Sequence, residues 1–230
     1  NVEIMAAAAA ADFYSQNDPR FGENARNYYE HARENDLCMT HTLVNPQSNR
    51  ALTAGGHSSA DVALRIVDEN ADGMVVRGAR ILATLGPLAD EIMVFPSTVL
   101  KAASDTKSFA FAFTIPCATP GMKFICRESL AYGESPVDHP LSSRFEEMDA
   151  LAFFDNVLVP WGRVFLYGDP DLCNNMAMST NQYLHSGHQV VTRFETLDDP
   201  NRSVVFKIYE KNCIDPYNST VSRTRIVFTL

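Results

Sequence analysis

The chain has 230 residues, 46% of them apolar and 20% charged, enough to bury a sizeable core in one large domain or two smaller ones. Its formal net charge is −9, and no Lys/Arg cluster offsets it, so nucleic acid is not an expected partner. No apolar run approaches the ~20 residues that span a bilayer, so no membrane partner is expected either.

Residues 2–35 read as helical. The run MAAAAAA at 5–11 fits a helix interior, because alanine is the best helix former; it is too short and lacks the basic flank of a signal peptide. Asp18-Pro19 supplies a capping side chain and a first-turn proline. Ala25, Tyr28, Tyr29 and Ala32 then form a stripe at spacings of three and four.

From Leu37 the texture changes. Residues 61–84 read as two strands around an Asp-Gly turn. SFAFAFTIP at 108–116 alternates Phe109, Phe111 and Phe113 against small residues, a strand period of two. MKFICRES, after Pro120-Gly121, is expected to pair with it as a hairpin. The segment 148–165 begins as a buried strand that ends at Val159-Pro160. Residues 170–193 return to a helical pattern, and the remainder turns strand-like. The expected class is α+β, with a central antiparallel β-sandwich or barrel flanked by partial helical segments. The divisions fall at 1–36 (helical), 37–169 (β-domain), 170–193 (helical) and 194–230 (a divergent strand-like tail).

Cys38, Cys117, Cys126, Cys173 and Cys213 are scattered and never form a CxxC pair. They read as reduced thiols of a cytoplasmic protein. His185 and His188 form an HxxH on an expected helix, with no further ligand at a diagnostic spacing. SRFEEMD at 143–149 reads as a solvated charge run, because neighbours on a strand face opposite sides. Asn218-Ser219-Thr220 fits a glycosylation sequon in a chain with no other sign of secretion, and Trp161 reads as a packing residue.

The densest polar stretch is THTLVNPQSNR at 40–50: an imidazole, three hydroxyls, three amides and a guanidinium around one proline. This stretch, with DPRFGENARNYYEHARENDLCMTHTLVNPQ (18–47), VVRGARILATLGPLADEIMVFPS (75–97), FICRES (124–129), DHPLSSRFEEMDALAFFDNVLVPWGRVFL (138–166) and GDPDLCNN (168–175), resembles the 4-hydroxyphenylacetate 3-monooxygenase family. These are the large oxygenase components of two-component flavin monooxygenases, and the resemblance runs over about residues 12–193. It implies an acyl-CoA dehydrogenase-like scaffold, reduced FAD supplied by a separate flavin reductase, and O2 as oxidant. The implied product is a catechol, made by hydroxylating a 4-substituted phenol ortho to its hydroxyl. A homo-oligomer, a tetramer in the family, is implied too. The family extends beyond this chain at both ends. The upstream Arg and Tyr that grip substrate, and the downstream helical bundle, have no counterpart in it, so the chain looks truncated.

Residue by residue, the resemblance places His41 at the phenol oxygen as proton acceptor and also beside the flavin. A histidine suits that work because its ordinary pKa of ~6.5 lies near working pH. Thr42 and Leu43 would face the isoalloxazine. Gln47, Ser48, Asn49 and Arg50, in a turn held by Pro46, would anchor the pyrophosphate or ribityl chain. Ser48 stands where the family usually has an apolar residue. Thr84 would bond the flavin near N5, and Ser97 and Thr98 would line the substrate pocket. Without the resemblance, His41 is a strand histidine satisfied by a carbonyl, 47–50 a polar surface turn, Thr84 a strand-end threonine, and Ser97-Thr98 a turn. Two other functions stay open: a flavin-domain remnant acting through assembly, and a 4-hydroxybutyryl-CoA dehydratase-like lyase, which shares the scaffold but needs an iron–sulfur cluster on three cysteines and a histidine.

Overall fold

The computed structural model describes residues 2–46, 62–96, 100, 106–129, 135–140, 143 and 148–188, with the backbones of 205–209 and 225–229. The chain divides into two compact units, essentially 3–182 and 183–230. In the second, β9 (Val205–Tyr209) and β10 (Arg225–Thr229) pair antiparallel, with Val205 opposite Thr229. No helix among the described residues is long and apolar enough to cross a membrane.

Three helices open the first unit: α1 (Val2–Ala9), α2 (Ala11–Tyr14) and α3 (Pro19–Glu34). Asp18 caps α3 by accepting from the Arg20 amide at 2.9 Å, and Pro19 follows at the first helical position. Phe21, Ala25, Tyr28 and Ala32 form the buried stripe, while Tyr29 sits at its half-exposed margin. Gly22 lets α3 cross α2 closely, since a Cβ there would lie 2.4 Å from the Ala11 carbonyl oxygen. Tyr14 and Tyr28 pack on Phe165, with ring centroids 6.2 and 5.8 Å away.

Phe165 belongs to the first of two four-stranded sheets. That sheet runs in the order β1 (Met39–Thr42), β4 (Glu91–Val94), β5 (Phe111–Pro116) and β8 (Val164–Tyr167). The second runs β2 (Arg65–Glu69), β3 (Gly73–Arg80), β7 (Ala150–Pro160) and β6 (Met122–Cys126). Neither sheet closes on itself among the described residues. One pairing departs from the antiparallel expectation: β1 and β4 run parallel, His41 opposite Met93. α4 (Pro170–Ser179) follows β8, capped by Asp169 through the Leu172 amide at 2.9 Å.

The hairpin expected between SFAFAFTIP and MKFICRES is not formed. β5 is flanked by β4 and β8, whereas β6 pairs with β7, Met122 opposite Phe154. The burial patterns explain the exchange. β5 is buried on both faces and belongs mid-sheet, while β6 is largely exposed and belongs at an edge. The connecting turn carries the chain from one sheet to the other, with Gly121 at φ 92° receiving the Asp155 amide at 2.9 Å. Phe113 of β5 meets Phe154 of β7 edge-on at 6.2 Å, joining the sheets through the core.

Two buried charges sit in this framework in opposite circumstances. Glu91 accepts from Tyr28 Oη at 2.8 Å and Arg163 Nη1 at 2.7 Å, with His31 Nε2 3.6 Å away. It ties α3, β4 and the Trp161–Arg163 turn together, and burial holds the Tyr28 phenol well above its ordinary pKa. Arg80 is fully buried too, yet it has one bond, from Nη1 to the Leu43 carbonyl at 3.0 Å; its Nε and Nη2 have no partner among the described residues. Desolvation pushes its guanidinium down to about 9, which leaves it charged at neutral pH. Its one compensating neighbour ring is Phe111, 5.5 Å from the guanidinium carbon.

The two sites therefore predict opposite responses, read by urea unfolding on the single tryptophan, Trp161. Glu91→Ala is expected to destabilise by about 3 kcal/mol, because it strands buried donors. Arg80→Met is expected to hold or raise stability by about 1 kcal/mol, because it removes an uncompensated charge at similar volume. Equal losses at the two positions would show that Arg80 has a partner of comparable strength.

Candidate functional site

The site begins with the period-two alternation of β1. Thr40 and Thr42 point inward and are buried; His41 points outward and is exposed. Each inward hydroxyl donates across to a carbonyl of the segment after β3: Thr40 Oγ1 to Thr84 at 2.6 Å and Thr42 Oγ1 to Ile81 at 2.7 Å. The Ile81 amide returns a bond to the Val44 carbonyl at 2.9 Å. Residues 81–85 are thereby laid along the end of β1. On the other side Phe95 donates its amide to the Thr42 carbonyl at 2.9 Å and sets its ring 5.9 Å from that of His41.

The 81–85 segment is held under strain. Leu82 has φ 62° and Leu85 φ 58°, a left-handed conformation that costs leucine about 1–3 kcal/mol each. The next strand opposes that cost: Ala83 and Ala150 exchange amide bonds at 2.9 and 3.2 Å, and Leu85 donates to Met148 at 2.7 Å. Thr84 stands between the two leucines, half-buried, and its hydroxyl donates a short hydrogen bond to Asp149 Oδ1. The bridge between Val44 and Ile81 puts Leu43 and Leu82 next in register, and these leucines are 43% and 53% exposed, beside an exposed imidazole. Asn45 closes the stretch, with its side-chain oxygen buried and unpartnered.

The fold therefore brings His41, Thr42, Leu43 and Thr84 into one neighbourhood. Thr42 spends its hydroxyl inward on Ile81, so its side chain serves the scaffold. Gln47, Ser48, Asn49, Arg50, Ser97 and Thr98 lie outside the described residues, as does the Asn218 sequon. Four residues of the neighbourhood are given no role in the sequence reading: Asn45, Leu82, Phe95 and Asp149. Asp149 is not part of a solvated run. It sits one residue before β7 and faces a partner 65 residues away. Its place at the end of the acidic run, immediately before a long alternating strand, is the signal that marks it.

A flat heterocycle with both donors and acceptors at its edge fits this ground. The exposed leucine pair supplies apolar surface for a ring face, and the orphaned Asn45 oxygen needs a donor that the described residues do not provide. A cluster-binding site is not assembled among the described residues. Cys38 is exposed near the start of β1, Cys126 ends β6 in the other sheet, and burial pushes the half-buried Cys117 thiol up to about 12. No group of three or more His, Cys, Asp or Glu side chains gathers at a metal position among the described residues, His185 and His188 included. Trp161 donates its indole N–H to the Asn70 carbonyl at 3.0 Å and stacks edge-on with Tyr167, a packing role.

Comparison with known proteins agrees with this geometry. The chain is 53% identical over 193 residues to the oxygenase component of 4-hydroxyphenylacetate 3-monooxygenase of Geobacillus sp., covering 84% of this chain and 39% of that one. It is 51% identical over 191 residues to the component of the same name from Thermus thermophilus, covering 83% and 38% respectively. A crystal structure of such an oxygenase component, complexed with FAD and 4-hydroxyphenylacetate, superposes with a TM-score of 0.74 at 51% identity, over 83% of this chain and 39% of that one. The chain thus spans well under half the length of these relatives. The family described as 4-hydroxyphenylacetate 3-hydroxylase N terminal matches residues 1–166, and the chain belongs to it.

Proposed function

We propose that this chain carries part of the active site of an FADH2-dependent aromatic hydroxylase, one that adds an oxygen from O2 ortho to the hydroxyl of a 4-substituted phenol. The observation that carries the reading is the exposed His41 beside Phe95, flanked by exposed Leu43 and Leu82 and closed by the unpartnered Asn45 oxygen. The relatives' names and the FAD complex of a half-identical structure support the same reaction class.

Reduced flavin, when bound, supplies the two electrons that activate O2. The protein's part is to place the phenol and handle its proton. His41 is fixed at the backbone by β1 and free at the ring, so it accepts the phenolic proton and raises electron density at the ortho carbon. Leu43 and Leu82 offer apolar surface to the ring system. Thr84 would meet the flavin near N5, Gln47, Ser48, Asn49 and Arg50 would hold its phosphate and ribityl chain, and Ser97 and Thr98 would line the phenol's pocket. The Phe113–Phe154 contact supports a sandwich of acyl-CoA dehydrogenase type as the scaffold. A flavin reductase is the partner that supplies reduced FAD, and a homo-oligomer of the family's kind completes the assembly.

Anaerobic titration of the purified chain with reduced FAD is expected to show saturable binding, and admitting O2 with 4-hydroxyphenylacetate to yield the catechol. His41→Ala is expected to slow catechol formation about a hundredfold while reduced FAD still binds. Failure of the unaltered chain to bind flavin in either redox state would leave it an assembly element without flavin chemistry.

A further inference from the structure

We infer that Asp149 sets the direction of the Thr84 hydroxyl, so that Thr84 presents an acceptor to the site and selects the reduced over the oxidised flavin. The inference rests on the reading of Thr84 as a flavin contact. Asp149 is then a positioning residue, acting through Thr84.

The argument is one of proton counting. A threonine hydroxyl has one proton and two lone pairs, and an ionised carboxylate is an acceptor only. In the short bond between Thr84 Oγ1 and Asp149 Oδ1 the proton must therefore come from Thr84. With that proton committed, the hydroxyl offers only lone pairs to any other neighbour. Reduced flavin carries an N–H at N5, a donor that matches them. Oxidised flavin has a bare acceptor at N5, which faces an acceptor and gains nothing. One carboxylate thus converts an indifferent hydroxyl into a redox-state filter.

The surrounding backbone indicates that this placement is held deliberately. Thr84 lies between two leucines in left-handed conformation, and such strain persists only where neighbours over-determine it. The Thr84 carbonyl is fixed by Thr40, and the bonds of Ala83 to Ala150 and of Leu85 to Met148 fix the residues on either side against the segment that carries Asp149. Both ends of the Thr84–Asp149 bond are thereby held by main chain. Asp149's own carbonyl accepts from the Arg127 amide at 3.0 Å, which anchors it from β6's side.

The test is the ratio of dissociation constants for oxidised and reduced FAD, measured anaerobically on the full chain. Asp149→Asn is expected to lower the preference for reduced FAD about tenfold, because the amide can donate to Thr84 and free its proton for the oxidised N5. For this two-electron couple that is about a 30 mV fall in the bound flavin's potential. The sign separates this role from simple electrostatics. Removing a negative charge beside an anionic reduced flavin would by itself raise the preference. Thr84→Val, which keeps the charge, is expected to lower it as well, and in the Thr84→Val background Asp149→Asn is expected to lower it no further, leaving only the opposite effect of the lost charge. If Asp149→Asn does not fold, as judged by circular dichroism, Thr84→Val alone decides. An unchanged or increased preference in the variants, with flavin still bound, overturns the role of Asp149 and leaves the hydroxylase reading standing. Absence of flavin binding in the unaltered chain overturns both.

Discussion

Two hydroxyls organise the site. Thr40 and Thr42 sit on the inward face of β1 and each donates to a carbonyl of the 81–85 segment. Because successive strand residues face opposite ways, fixing those two inward also fixes His41 outward. The same bonds bring Thr84 and the exposed Leu82 alongside β1, although the two segments are about forty residues apart. Together with the bonds of Ala83 to Ala150 and of Leu85 to Met148, they hold the two leucines at positive φ. The imidazole and the apolar pair then lie along the exposed side of the strand end, and Thr84 is held beside its inward side, where sequence spacing alone would leave them unrelated.

Buried charge is used in two ways around that surface. Glu91 is fully engaged, by a phenol and a guanidinium, and works as a rivet between helix and sheet. Among the described residues Arg80 hydrogen-bonds only the Leu43 carbonyl and rests on the Phe111 ring, and it carries a desolvation cost that its other nitrogens do not recover. Its placement is understandable only with respect to what it touches: Leu43 directly follows the strand that carries His41. A buried cation on that carbonyl limits how far the strand end can move. Asp149 applies the same principle to a side chain, committing a hydroxyl proton so that the opposite lobe has a defined polarity.

The relation to known oxygenases follows from this arrangement as much as from identity. The chain matches less than half the length of its relatives. Yet the portion it covers includes the β1 alternation and the strained 81–85 crossing, the elements proposed above to meet a planar cofactor's face and edge. A dehydratase-like alternative would need its cysteines to converge, and the sheets separate Cys126 from Cys38 and Cys117.

Much of the local structure was legible in the residues alone. The α3 stripe, the Asp18-Pro19 start and the Asp-Gly turn between β2 and β3 follow from periodicity, capping and turn chemistry, which act over a few residues, whereas Thr42, expected at the cofactor beside His41, turns inward. The polar density of 40–50, together with its resemblance to a known family, was enough to mark His41, Leu43 and Thr84 as worth finding together. Tertiary structure alone decided the pairings. β6 went to β7 because β5, buried on both faces, had its neighbours supplied from elsewhere in the chain. Asp149 left its apparent charge run for a hydroxyl 65 residues away, and Arg80, ordinary in sequence, became the most completely buried charge of the described core. Spacing dictates which way a side chain faces; what it faces depends on which distant strand arrives beside it, and that is settled by the register of the whole sheet.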